Sequence, residues 1–351
     1  MPVRHDLAGL EGYHSPQVSV EVRLNTNESP YPPPQAWRDA FLEELATVPL
    51  HRYPDRSARA LRTALGGLHG VGPERVFAAN GSNEVLQALC LAYGGRDRAV
   101  AVFEPTYALH SHIARITGTE VVVGERGPDL ALDLAEVHRV LGEARPAITF
   151  LCSPNNPTGM VDPAGATRAV VDAAPGLVVV DEAYGQFAPR SCVGDMSDEG
   201  PLVVVRTFSK TWAMAGLRLG YCVAPARVVE ALEQVTLPYH LDAAKQAAGR
   251  LALRFGAEME KRVTRLVAER ERVARALAAL PVDTWPSGAN FLLLRPHDRD
   301  GTEVWQALVD RSVLVRNCAT WHRLAGCLRV TVGTPDENDA FLAALAAVLA
   351  P

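Results

Sequence analysis

The feature that most limits the fold is a series of short runs, rich in valine and other β-formers, spaced along the middle of the chain. They fall at 75–79, 99–103, 120–123, 147–152, 177–180, 202–205 and 221–224. Most are continuous rather than alternating: Leu177-Val178-Val179-Val180 contains no polar residue. A strand with one face in water alternates in polarity, whereas a strand covered on both faces does not. Helical spacing fills several of the intervals. From Glu84 to Tyr93, for example, Val85, Leu86, Leu89, Cys90 and Tyr93 share one face. The pattern predicts an α/β fold with a mainly parallel central sheet and helices on both faces.

The flanks read differently. Residues 1–35 are expected to be irregular, because Pro30, Pro32, Pro33 and Pro34 enforce an extended path. The span 243–280 reads as one unusually long helix with Gly256 as a possible break. A smaller α+β unit follows, with strands at 291–294, 313–315 and 328–332 and a terminal helix. Thr334 is placed to cap that helix, with Pro335 at its first position and Glu337 closing a capping box. At 351 residues the chain suits two domains better than one. The division is expected at 1–35 (arm), 36–245 (large) and 246–351 (small).

Composition excludes several classes of function. A net charge of −5 provides no basic field for nucleic acid or an anionic membrane. No run reaches the ~20 apolar residues that a membrane helix needs. The six cysteines form no CxxC pair and mostly sit in apolar runs. Buried free thiols are therefore expected rather than a metal centre or a disulfide framework. The first residues lack the apolar stretch of a secretory signal, so a soluble cytoplasmic protein is the expectation.

Polar residues concentrate where the apolar runs end, which is where open α/β sheets bind ligands. Lys210 follows 202–205 in Thr207-Phe208-Ser209-Lys210, with Arg218 eight residues on. Asp181 closes 177–180 and is followed by Glu182-Ala183-Tyr184. A carboxylate in that position is costly to bury without a cationic partner. Asn156 lies in Ser153-Pro154-Asn155-Asn156-Pro157-Thr158-Gly159 after 147–152. A strand-end amine beside a carboxylate, a phenol and an amide matches what pyridoxal phosphate demands: a Schiff-base partner and an acid that keeps the ring nitrogen protonated. Ser209, Thr207 and Arg218 offer charge-assisted bonds to its phosphate. Gly81 and Ser82 in Asn80-Gly81-Ser82-Asn83 suit a phosphate at a helix start, although a plain Ser/Asn cap explains that segment equally well. Tyr107, after 99–103, places an aromatic at the sheet edge; such a tyrosine taken alone is more often core than cofactor stacker.

These motifs resemble the fold-type I, pyridoxal-phosphate-dependent aminotransferases of class I/II. The resemblance extends from Arg23-Leu24-Asn25-Thr26-Asn27-Glu28-Ser29-Pro30-Tyr31 through Arg52-Tyr53-Pro54-Asp55 to Leu328-Arg329-Val330-Thr331-Val332-Gly333-Thr334. The Arg-Tyr-Pro-Asp and N-terminal segments are most similar to the branch that acts on histidinol phosphate. The resemblance implies ping-pong transamination between a small amine donor and a 2-oxo acid, with Lys210 as Schiff-base and proton-shuttling residue. It implies Asp181 on the ring nitrogen, Tyr184 and Asn156 on the ring oxygen, and Tyr107 stacked on the ring. Gly81, Ser82, Ser209 and Arg218 would hold the cofactor phosphate. It also implies a homodimer with shared sites, joined in part by the N-terminal arm, in which Tyr53 reaches the neighbouring subunit's cofactor phosphate. Arg329 would clamp a substrate carboxylate or help with its phosphate, and Tyr13, Asn83 and Arg316 would meet the substrate phosphate. Ser29 and the stretch Cys318-Ala319-Thr320-Trp321-His322 depart from the family pattern on the substrate side. The rivals are a broad-range aromatic aminotransferase, a decarboxylase of a phosphorylated amino acid and, remotely, the cofactor-binding part of a transcription regulator.

Overall fold

The structure is a computed structural model that describes residues 4–7, 10, 12 and 18–350. A short strand β1 (Val22–Leu24) and helices α1 (Gln35–Thr47) and α2 (Arg59–His69) precede the first strand of the large sheet, β2 (Val76–Ala79). There follow α3 (Ser82–Tyr93), β3 (Ala99–Glu104), α4 (Leu109–Ile116), β4 (Glu120–Glu125), α5 (Leu134–Ala144), β5 (Ile148–Cys152) and α6 (Ala166–Ala173). Then come β6 (Leu177–Asp181), β7 (Leu202–Thr207), β8 (Gly220–Val223) and α7 (Ala226–Val235). The seven strands lie in the order β2-β8-β7-β6-β5-β3-β4. The pairs from β7 through β6, β5 and β3 to β4 are parallel, and β8 runs antiparallel to both neighbours.

The continuous apolar runs have the expected cause. Val179, Val203 and Val205 enter the core on one face of the sheet, with Phe150 and Leu86. Their alternates Val178, Val180 and Val204 enter the core on the other face, with Val137 and Val170. All residues of β5, β6 and β7 are buried. Because the sheet is covered on both sides, few polar side chains lie within these strands, and those at their carboxyl ends, Asp181 and Thr207, position the site.

The long helical span does break at Gly256, the possible break, into α8 (Ala243–Ala252) and α9 (Gly256–Leu277), joined by a 3₁₀ turn at Leu253–Phe255. The break has a packing reason. Ala248, Leu251 and Ala252 of α8 join Trp37, Leu61 and Tyr221 in the large core, whereas Val273 and Leu277 of α9 join the core of the second sheet. One straight rod could not serve both.

The second sheet is built from β9 (Val282–Thr284), β10 (Phe291–Pro296), β11 (Val313–Asn317) and β12 (Leu328–Thr331), with helices α10 (Gly301–Val309) and α11 (Pro335–Leu349). Its order is β1-β11-β12-β10-β9. The N-terminal segment, read as irregular, thus contributes a strand that pairs parallel with β11. Val313, Val315, Leu328, Val330 and Leu294 face the helices. The opposite face carries Leu293, Cys318 and Cys327, packed with Leu130 from the loop after β4. Arg316 and Arg329, directly opposite each other in the antiparallel β11/β12 register, belong to this second face. The capping box of α11 is present, with Thr334 Oγ1 accepting from Glu337 N at 3.3 Å and Glu337 Oε2 accepting from Thr334 N at 2.7 Å.

Candidate active site

Lys210, Asp181, Tyr184, Asn156, Thr207, Ser209, Arg218, Ser82, Asn83, Tyr107 and Arg329 all line one cleft of about 340 Å³. It lies at the carboxyl edge of β6 and β7, where the second sheet meets the first, in the size range of small-molecule sites.

Lys210 is anchored by its ammonium-side nitrogen: Nζ donates to the Thr26 carbonyl at 3.1 Å and lies 5.7 Å from the Tyr184 ring centre. Burial, reinforced by Arg329 and Arg218 and opposed by Glu28, pushes its pKa down to about 7. Such an amine is substantially unprotonated near neutrality and so nucleophilic.

Asp181 is 2% exposed. Its Oδ1 accepts from Ala183 N at 2.9 Å, and its Oδ2 lies 3.1 Å from His110 Nε2. Since a carboxylate only accepts, His110 carries its proton on Nε2. The His110 ring stacks on Phe150 at 4.9 Å and meets Tyr107 edge-on at 5.4 Å. Sequence reasoning passed over His110; its signal is the spacing of three residues from Tyr107, one turn along α4.

Tyr184 is buried, which raises its phenol to about 12. Its hydroxyl accepts from Asn27 Nδ2 at 2.9 Å and keeps its own proton to donate. Asn156 Oδ1 accepts from Arg329 Nη1, leaving the amide Nδ2 for another acceptor. Its neighbour Asn155 is structural, donating to Pro105 O at 3.0 Å and to Thr158 Oγ1 at 2.9 Å.

At the other end of the cleft, Gly81 caps α3 with φ +86 and without a side-chain cap bond, so the plain Ser/Asn cap is not used. The first N–H groups of α3 therefore stand free of side-chain caps. A Cβ on Gly81 would come within 2.8 Å of Arg218 Nη2, and one on Gly220 within 2.2 Å of Ser82 N. Arg218 Nη1 donates to Ser209 Oγ at 3.3 Å, and Thr207 Oγ1 donates to the same oxygen at 3.0 Å. Backbone N–H groups, hydroxyls and a guanidinium thus converge as an anion cradle requires. The donor set fits pyridoxal phosphate at both ends, ring and phosphate.

The second sheet carries two guanidinium groups on its face toward the cleft. Arg329 donates to Asn25 O at 3.0 Å and rests 5.1 Å over the Phe291 ring, and both it and Arg316 are buried. Arg316 does not line the cleft itself but stands beside Arg329 on the same sheet face. Tyr107 donates to Asn83 Oδ1 at 3.2 Å. Tyr53 is not brought to the cleft of its own chain; it is 80% exposed and stacks on Tyr239 at 4.4 Å. Tyr13 lies outside the described residues. Asn25, Thr26 and Asn27, which tie Arg329, Lys210 and Tyr184 in place, were quoted as motif but given no role from sequence.

Among the described residues no helix is long and apolar enough to cross a membrane. The sequence matches the family "Aminotransferase class I and II" over residues 19–345. It is 45% identical over 354 residues to the histidinol-phosphate aminotransferase of Rhodococcus opacus, covering 98% of this chain and 92% of that one. It is 44% identical over 360 residues to the enzyme of that name from Mycobacterium marinum, covering 100% and 93%. The fold is similar to the crystal structure of histidinol-phosphate aminotransferase from Sinorhizobium meliloti in complex with pyridoxal-5'-phosphate, with a TM-score of 0.85 at 24% identity over 94% of this chain and 91% of that one. By the match along most of its length and by these relatives, the chain belongs to the class I and II aminotransferases.

Proposed function

We propose that this enzyme transfers the amino group of L-histidinol phosphate to 2-oxoglutarate, giving imidazole acetol phosphate and glutamate in histidine biosynthesis. Bound pyridoxal phosphate supplies the aldehyde that accepts the amine and a ring that withdraws electrons from the reacting carbon. Lys210 Nζ holds the cofactor and then moves the proton from the donor's amine-bearing carbon, a placement that combines proximity with general base catalysis. Asp181, oriented by His110, keeps the ring nitrogen protonated. Tyr184 and Asn156 would donate to the cofactor's ring oxygen, and Tyr107 would lie against its ring. Gly81, Ser82, Thr207, Ser209 and Arg218 hold the cofactor phosphate. Arg329 meets the acceptor's carboxylate or helps with the donor's phosphate, and Arg316 and Asn83 meet the donor's phosphate, with Tyr13 assigned there by resemblance alone. Tyr53 acts from one protomer on the site of the other, which makes the active form a cytoplasmic homodimer.

The observation that carries the substrate assignment is the pair Arg316/Arg329. Two guanidinium groups side by side on one sheet face would repel each other, and a phosphate monoester repays that repulsion better than a single carboxylate. Arg316→Ala should therefore lower kcat/KM for histidinol phosphate by roughly 2–4 kcal/mol, the cost of deleting a charged partner at a desolvated site. The same change should leave unphosphorylated L-histidinol or phenylalanine nearly untouched. Equal losses on all donors would overturn the assignment in favour of a broad-range aminotransferase.

A further inference from the structure

Arg316 and Arg329 are each laid over an aromatic ring. Arg329 uses Phe291 from the neighbouring strand; Arg316 Cζ lies 5.3 Å from the centre of Trp321, which belongs to the loop between β11 and β12. That loop is tightly built. Asn317 Oδ1 accepts from Ala319 N at 2.8 Å and Cys318 N donates to Cys327 O at 3.0 Å. Trp321 N donates to Cys318 O at 2.9 Å, Leu324 N to Trp321 O at 3.0 Å and Cys327 N to Leu324 O at 2.9 Å. Leu324 is fully buried, and Trp321 packs against it, Cys318 and Leu293. The loop is also moored to the large sheet. His322 Nε2 lies 2.8 Å from Glu125 Oε1, and Arg323 reaches Glu125 Oε2 at 3.2 Å, Gly127 O at 2.8 Å and the Arg126 carbonyl. The indole is thus a fixed plate, attached to both sheets.

We propose that Trp321 is a positioning residue for substrate specificity, whose indole face holds the Arg316 guanidinium beside Arg329 so that the two together read a phosphate dianion. The proposal rests on the substrate reading above. The physical reason is electrostatic. Both guanidinium groups raise the same question at short range, since each acts on the nearby Cys318 thiol and like charges directly opposite in a ladder push apart. The negative face of an indole, the strongest aromatic partner for a cation, helps to hold the Arg316 guanidinium where it lies beside Arg329. Trp321 lies in the stretch Cys318-Ala319-Thr320-Trp321-His322, whose sequence departs from the pattern that the resemblance implies.

The test uses cofactor-loaded enzyme, two ring-changing variants and two readouts. Trp321→Leu removes the aromatic face, and Trp321→Phe keeps a weaker one. Trp321→Leu should lower kcat/KM for histidinol phosphate by roughly 3–30-fold, with Trp321→Phe falling between it and wild type and L-histidinol changing less than about twofold. Calorimetric binding of inorganic phosphate should weaken in the same ratio. In an Arg316→Ala background, Trp321→Leu should have little further effect, because its action runs through the missing guanidinium. Equal loss on both donors, unchanged phosphate binding or full additivity with Arg316→Ala would overturn the proposal. Should Trp321→Leu fail to melt cooperatively, the same contrasts measured on Trp321→Phe decide. A wild-type enzyme that does not prefer histidinol phosphate to L-histidinol would instead refute the substrate reading. The phosphate-binding arm would then still decide the role of Trp321.

Discussion

Cofactor-free protein should capture added pyridoxal phosphate with a pH dependence that an ordinary lysine does not have. Lys210 is displaced from 10.5 to about 7, chiefly by burial and then by Arg329. At a pH of about 7.5 an ordinary lysine is only ~0.1% neutral, whereas a group titrating near 7 is roughly three-quarters neutral, a gain of nearly three orders of magnitude in reactive amine. The rate of covalent capture, divided by the rate with N-α-acetyl-lysine to remove the cofactor's own titration, should therefore be large and level below about pH 7 and decline above it. That ratio should fall about tenfold per unit as the reference amine becomes neutral toward pH ~10. The same displacement appears in stability. Between about pH 7 and 10.5 the folded chain binds fewer protons at this site than the unfolded chain, so stability rises with pH across that window. Below it the full cost, roughly 5 kcal/mol at ~1.4 kcal/mol per unit, weighs against the folded state. Lys210→Met should stabilise the cofactor-free protein by a few kcal/mol near pH 7, and that advantage should shrink by ~1.4 kcal/mol per unit on going to alkaline pH. A capture ratio independent of pH, together with a pH-independent stability difference, would show that the amine is solvated and would refute the reasoning.

Three further outcomes follow from the site. Asp181→Asn should keep the cofactor bound and cut turnover by orders of magnitude, because a neutral amide cannot hold the ring nitrogen protonated; steady-state assay with a cofactor titration separates the two. Gly81→Ala should weaken cofactor affinity at least ~10-fold by fluorescence titration, since a side chain is strained at φ +86 and meets Arg218. Mixing inactive Lys210→Ala chains with inactive Tyr53→Ala chains should restore partial activity in verified heterodimers, one composite site carrying both native residues; no recovery would mean that Tyr53 does not act across an interface.

What the sequence made legible was the background against which functional groups stand out. In β5, β6 and β7 burial on both faces removes every exposed position, so Asp181 and Thr207 at the strand ends, with Ser209 and Lys210 just beyond, are conspicuous in one dimension. In the long alanine-rich span the sequence offered Gly256 as a possible break, and the helix does break directly before it, at Leu253–Phe255, where the chain turns from one core to the other. His110, by contrast, was invisible. In an amphipathic α4 it looks like an ordinary inward residue, and its partner Asp181 lies 71 positions away. Thr26, whose carbonyl fixes Lys210 from 184 positions away, sits in an extended segment with no period to read.

The two sheets divide the labour in a way that these successes and failures reflect. The groups proposed to hold the cofactor lie at the ends of runs whose chemistry is written locally: a carboxylate after four apolar residues, a lysine after a valine run. Groups on the substrate side depend instead on register. Arg316 faces Arg329 only because β11 and β12 pair as they do, and Val313 and Val315 occupy the other face. A slip of one residue would turn Arg316 toward the helices and bring Val315 to the cleft. The apolar face prevents that slip, because burying Arg316 among Leu294, Val330 and Phe341 would leave a charge without water or partner. The same alternation that builds the small core therefore also aims the guanidinium pair. Substrate preference in this fold should accordingly be altered more readily by changes in the β11–β12 loop than by changes at the ends of β6 and β7, where cofactor chemistry fixes each residue.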